Sequence, residues 1–96
     1  MAEPLRLSDL RFIAAPEPDR ARGLLFFASF ILGPLRIDAT VRRTRDGRLV
    51  LSFPVRHDGS GRQWPIVRPV DDAARHTLEA QVLAALRCIQ AEDDAP

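Results

Sequence analysis

The residues of this 96-residue chain whose types could do chemistry gather between Arg42 and Arg68. His57, Asp58 and Ser60 are the types that build a nucleophile, its base and an orienting acid. Neighbours within a single turn, however, do not reach the geometry that a nucleophile and base require. His57 is therefore expected to be an exposed turn residue. The other histidine, His76, lies twelve residues before the lone Cys88. No CxxC or HExxH spacing is present, so no zinc site is expected. The glycines around Ser60 lack the lysine and the strand-to-helix context of a phosphate-binding loop. Neither an enzyme nor a cofactor follows from these residues.

Binding chemistry fits them better. All fourteen basic residues are Arg, and a guanidinium suits planar, bidentate recognition of phosphate. Residues 1–70 hold twelve Arg against seven acids, whereas residues 71–96 hold two against six. A basic sheet region thus precedes an acidic helical end. Such asymmetry marks either a polyanion-binding surface or ordinary solvated faces. Arg56, Arg62 and Arg68 are the leading candidates to contact a nucleic acid, with His57 adding charge when protonated. Arg42, Arg43, Arg45 and Arg48 form a second group about another hairpin end. Alternate turns of a meander lie at opposite ends of the sheet, so two clusters are expected. Trp64 beside Arg62 reads as an aromatic anchor between strand and helix, or as a surface on which a base stacks.

The elements that must position these residues can be read from periodicity. Leu5 to Ile13 alternates as a strand, with a phase slip at Ser8-Asp9 that suggests a bulge. Ala14 to Arg22, with Pro16 and Pro18 among charges, reads as a mobile loop and a flap near the ligand. Gly23 to Leu32 is apolar on both phases, as in a strand covered on both faces. Leu35 to Thr44 alternates cleanly. Gly33-Pro34 should pair Leu32 with Leu35, joining the Phe26/Phe30 side to the Ile37/Val41 side. At Asp46-Gly47 a two-residue turn would set Val41 against Ser52. An odd-numbered loop such as Asp46 to Arg48 instead places Leu49, Leu51 and Phe53 beside Val41 and Ala39. Pro54 and Pro65 belong at strand ends or on an edge. Val70 to Gln90 is a helix capped by Asp71 or Asp72, with Leu78, Val82, Ala85, Leu86 and Ile89 in one stripe.

The fold class is therefore α+β: an antiparallel β-meander of four to five strands with one C-terminal helix. Residues 1–90 form a single domain, and the acidic segment 91–96 is expected to fray. A domain of this size buries about 60–65% of its unfolded surface, which disfavours a deep internal cleft and a small-molecule substrate. One helix cannot cover two faces of a sheet. The stripe Leu25, Phe27 and Ile31 is accordingly expected to form a symmetric dimer interface. The alternative is that the proline-bearing loop or the first strand folds over it. There is no apolar run long enough to span a membrane and no secretory signal. With one cysteine the chain suits a reducing cytoplasm.

Several modest motifs, taken in order, resemble one family. They are L-R-I-D-A-T-V-R from Leu35 to Arg42, L-S-F-P from Leu51 to Pro54, the basic step Arg56-His57, and the D-G-S-G-R turn. The P-I-V-R-P segment and the Asp-led helix through E-A-Q-V-L complete the set. This order is similar to that of SpoVG, the stage V sporulation protein G or septation-regulator family, from about Leu7 to Leu86. The resemblance implies a small dimeric antiparallel sheet with a C-terminal helix. It also implies a bacterial DNA- and RNA-binding regulator linked to septation and cell division, sporulation or virulence gene expression. The family's basic pair falls on Arg56-His57 and its Arg beyond the turn on Arg62. His57 stands where the family has Lys or Arg, Phe53-Pro54 where Met-Pro is frequent, and Val55 where a small polar residue is common.

Overall fold

The computed structural model describes residues 6–94, with side chains to Gln90. Its elements are β1 (Ser8–Ala14), α1 (Glu17–Ala21), β2 (Leu24–Leu32), β3 (Leu35–Arg43), β4 (Leu49–Ser52), β5 (Val55–His57), β6 (Gln63–Pro65) and α2 (Asp72–Asp94). Strands β1 to β4 form an antiparallel sheet in chain order, and β5 and β6 form a separate hairpin. The arrangement is α+β, a four-stranded meander with a long C-terminal helix, as the periodicity predicts.

Local chemistry sets the register. The Gly33-Pro34 turn pairs Leu32 with Leu35, and Phe30 and Ala28 then face Ile37 and Ala39. The second hairpin closes on Thr44, whose N–H donates to the Arg48 carbonyl at 2.8 Å. Its loop is Arg45-Asp46-Gly47, with Gly47 at φ +88°, and Val41 lies opposite Leu51. The loop is odd-numbered, as the alternation demands, but begins one residue earlier than Asp46. In β1 the register shifts between Ser8 and Arg11, and Asp9 takes φ +49°. A short polar residue tolerates that conformation better than most, so the bulge falls where the phase slips. Leu5, the first residue of the predicted strand, lies outside the described residues.

Helix α2 covers one face of the sheet. Phe30, Val41, Leu51, Val82 and Leu86 are fully buried between them, and each such side chain contributes about 1.5–3 kcal/mol by leaving water. Asp71 caps the helix by accepting the Ala74 N–H at 2.8 Å. The backbone stays helical to Asp94, further than the predicted end at Gln90. Nothing between Ala91 and Asp94 breaks a helix, so the backbone of Glu92-Asp93-Asp94 continues it. Pro96 lies outside the described residues.

The segment Ala14 to Arg22 departs from the predicted loop. Its middle is the five-residue helix α1, with Pro16 at the N-cap and Pro18 in the first turn. Proline is tolerated there because those N–H groups have no intrahelical partner. Arg20 pins the helix to β2: its Nη1 donates to the Leu25 carbonyl at 3.2 Å and its guanidinium lies 5.4 Å from the Phe26 ring centroid. Phe26 belongs to the face that α2 covers, so α1 does not shield the opposite stripe. On that opposite face Ile13 is 69% and Phe27 42% exposed.

This one-sided core has a measurable consequence. Phe30→Ala is expected to lower the free energy of unfolding in denaturant by about 3–5 kcal/mol. Phe27→Ala on the open face should lower it by about 1 kcal/mol or less. Equal losses would show that both faces are core.

Candidate nucleic-acid interface

Strand β4 is the edge of the main sheet, and α2 occupies that edge. The Leu51 N–H donates to Glu79 Oε2 at 3.1 Å, and the Leu51 carbonyl accepts from Arg75 Nη1 at 3.1 Å. Arg75 also lies 6.0 Å from the Phe53 ring centroid and 3.8 Å from Glu79. With these edge groups satisfied and Pro54 next in line, the chain cannot extend the sheet with another strand. It forms the β5–β6 hairpin alongside, joined by the Ile66 N–H to the Pro54 carbonyl at 3.2 Å.

A groove of about 570 Å³ opens between the β4 edge and this hairpin, and Arg42, Arg43, Arg68 and Arg75 all line it. Arg42 and Arg43 come from the end of β3, opposite Val50 and Leu49. Gly23 sets this end, because its carbonyl accepts the Arg43 N–H at 2.7 Å. A Cβ on Gly23 would lie 2.8 Å from the Arg43 carbonyl oxygen, so only glycine permits the approach. Arg68 follows the hairpin. The predicted residues are therefore divided differently from the expectation of one cluster per turn. Arg42, Arg43 and Arg68 share the groove, while Arg45 and Arg48 stay at the β3–β4 loop.

Arg75 was not anticipated, because it lies in the acidic C-terminal part of the chain. The available signal was its helical spacing: it precedes Leu78 and Val82 at the i+3 and i+7 positions of the buried stripe.

Few of these charges are neutralised internally. Among the described residues, the only carboxylate within ion-pair distance of a predicted basic residue is Asp46, 3.4 Å from Arg48 Nε. The open face behaves differently. There Asp9 accepts hydrogen bonds from Arg36 and Arg11, which hold its carboxyl below the usual aspartate range. Arg36 Nη1 also donates to Ser29 Oγ at 2.9 Å. Among the described residues, the arginines of the groove and hairpin other than Arg75 have no ion-pair partner.

The β5–β6 hairpin is organised by Asp58. Its Oδ1 accepts from the Ser60 hydroxyl at 2.6 Å, the Ser60 N–H at 2.9 Å and the Arg62 N–H at 3.0 Å. Its Oδ2 accepts from Trp64 Nε1 at 2.9 Å. All four of these contacts lie within the hairpin itself. Val55, Gln63 and Pro65 line the groove, so alternation places Arg56 and Trp64, which are paired across the strands, on the hairpin's other face. His57 is exposed and its Nε2 lies 3.2 Å from Gln63 Nε2. Trp64 is not an anchor between strand and helix: it is 47% exposed and held by Asp58 at the surface.

Among the described residues no group of three or more His, Cys, Asp or Glu is placed to hold a metal ion. No helix among them is long and apolar enough to cross a membrane. Comparison with protein-family models, curated proteins and solved structures found no match.

The bonds to ionised Asp58 depress its pKa, chiefly through the Ser60 hydroxyl and then the Trp64 indole. A depressed folded value means the stabilisation is complete above the unfolded aspartate pKa and fades as pH falls through the folded one. Trp64 emission should therefore stay constant across neutral and mildly acidic pH and change only below the ordinary aspartate value of 3.8. Asp58→Ala should show the altered emission already at neutral pH. A wild-type transition near neutrality would contradict this account of the turn.

Proposed function

We propose that this chain is a non-enzymatic, cytoplasmic nucleic-acid-binding regulator of the SpoVG type, acting on DNA or RNA in septation and gene expression. The observation that carries the reading is the groove in which Arg42, Arg43 and Arg68 have no carboxylate partner among the described residues. Guanidinium groups left unneutralised around one groove attract a polyphosphate backbone and release its counterions. The ordered motifs from Leu35 to Leu83, and the meander with its C-terminal helix, support assignment to the SpoVG type.

A homodimer completes the proposal. Phe27 and Ile31 lie on the face away from α2, where Ile13 pairs with Phe27. Leu25 sits at the β2 bulge, half-buried, with its carbonyl taken by Ala15 and Arg20. Ile13, Phe27, Phe53 and Pro54 line an open concavity of about 400 Å³. Arg11, Ser29 and Asp38 form one row across the strands. A twofold axis near Ser29 brings Arg11 of one copy towards the partner copy's Asp38, which supports self-association through this face. The same exposed apolar surface also supports a second reading, a module that recruits another protein through it.

The two faces are separable by substitution. Arg42→Ala with Arg68→Ala should weaken binding to mixed-sequence nucleic acid about tenfold at low salt and lower the salt slope by about two. The melting temperature should stay unchanged. Unaltered binding by this variant would remove the groove as the site. Phe27→Asp should convert the dimer to a monomer in light scattering at micromolar concentration. A wild-type monomer under those conditions would remove the dimer.

A further inference from the structure

We propose that Trp64 is a stacking platform for an unpaired base, which makes the preferred ligand single-stranded rather than duplex nucleic acid. The inference rests on the nucleic-acid reading above and specifies the form of its ligand. Trp64 is the chain's only tryptophan, and it is placed at the middle of β6 on the hairpin face away from the groove. Almost half of it meets solvent. A large indole is usually covered, so this exposure needs a reason.

The ring is held in a defined orientation. Its Nε1–H is fastened to Asp58 Oδ2 at 2.9 Å, and Asp58 is itself fixed by Ser60 and Arg62. A flat surface oriented before the ligand arrives loses little freedom on binding. Positive charge is built around it. The Arg62 guanidinium lies 4.6 Å from the indole centroid, and Arg56 stands directly opposite Trp64 on the neighbouring strand. Neither has a carboxylate partner among the described residues.

Every base presents a π-face to an aromatic ring, while the flanking phosphates need cations close by. Trp64 with Arg56 and Arg62 supplies both within one hairpin face. In a duplex the base faces are already stacked on their neighbours, so the indole can be used only by a base that is free of the stack. Arg62 attends one side of the indole, and the base takes the surface still exposed.

The test uses the full chain and a short labelled oligothymidylate, compared with a duplex of equal length at low salt. Binding is followed by anisotropy of the label, and Trp64 by its intrinsic fluorescence. The single strand is expected to bind at least about tenfold more tightly than the duplex and to quench Trp64. Trp64→Ala should lose about tenfold or more of the single-strand affinity, and Trp64→Phe should retain most of it. If Trp64→Ala is not folded, the wild-type quenching and affinity ratio decide. Equal affinity for both ligands, or binding without quenching, overturns the platform and leaves nucleic-acid binding intact. No anisotropy change with either ligand overturns both.

Discussion

Leu51 joins the two parts of the molecule. Its side chain lies in the core between sheet and helix, while its N–H and carbonyl leave the sheet to meet Glu79 and Arg75 of α2. An exposed edge strand invites further pairing, and two side chains from the covering helix prevent it at this position. At the other side of the sheet the Leu7 N–H donates to Gln81 Oε1 of the same helix at 3.1 Å. The helix therefore contributes more than an apolar face: its polar side chains hold the margins of the sheet. Because β4 is sealed and Pro54 follows, the next strands become a separate hairpin. The groove is the space left between that hairpin and the sealed edge.

The same arrangement sorts the charges. On the open face of the sheet Arg11 and Arg36 share the Asp9 carboxylate, which offsets part of their positive charge within the molecule. At the groove, Arg75 is the exception that is committed to structure, since it holds Leu51 and lies near Glu79. Arg42, Arg43 and Arg68 stand around it without acidic partners among the described residues. On the hairpin the nearby acid, Asp58, accepts only the neutral donors of its turn and of Trp64, so among the described residues Arg56 and Arg62 have no ion-pair partner. A net charge of only +1 thus coexists with five arginines at the groove and hairpin, Arg42, Arg43, Arg56, Arg62 and Arg68, that have no ion-pair partner among the described residues.

Much of the sheet was legible because strand alternation has a period of two. A one-residue slip would have moved Val41, Leu51 and Phe30 to the wrong face, so register followed from pattern. The bulge at Asp9 and the odd loop before Arg48 were legible for the same reason. Three features were not. Two prolines made α1 read as a loop, although the first turn of a helix accepts them. The separation of β5 and β6 from the sheet depends on Glu79 and Arg75 reaching across from α2, a contact that local pattern does not encode. Trp64 read either as a core anchor, because aromatic residues are scarce in this chain, or as a stacking surface; its exposed position is set by Asp58 six residues earlier. The candidate arginines other than Arg75 could be named from the sequence, but their division between groove, loop and hairpin could not.

The most direct test of the account is amide chemical-shift mapping of the labelled protein titrated with nucleic acid at low salt. Shifts should gather at Arg42 to Thr44, Val50 to Ser52, Gln63 to Arg68 and Arg75, and they should diminish as salt is raised. Shifts confined to Ile13, Phe27 and Ser29 on the open sheet face, or no shifts at any salt, would contradict it.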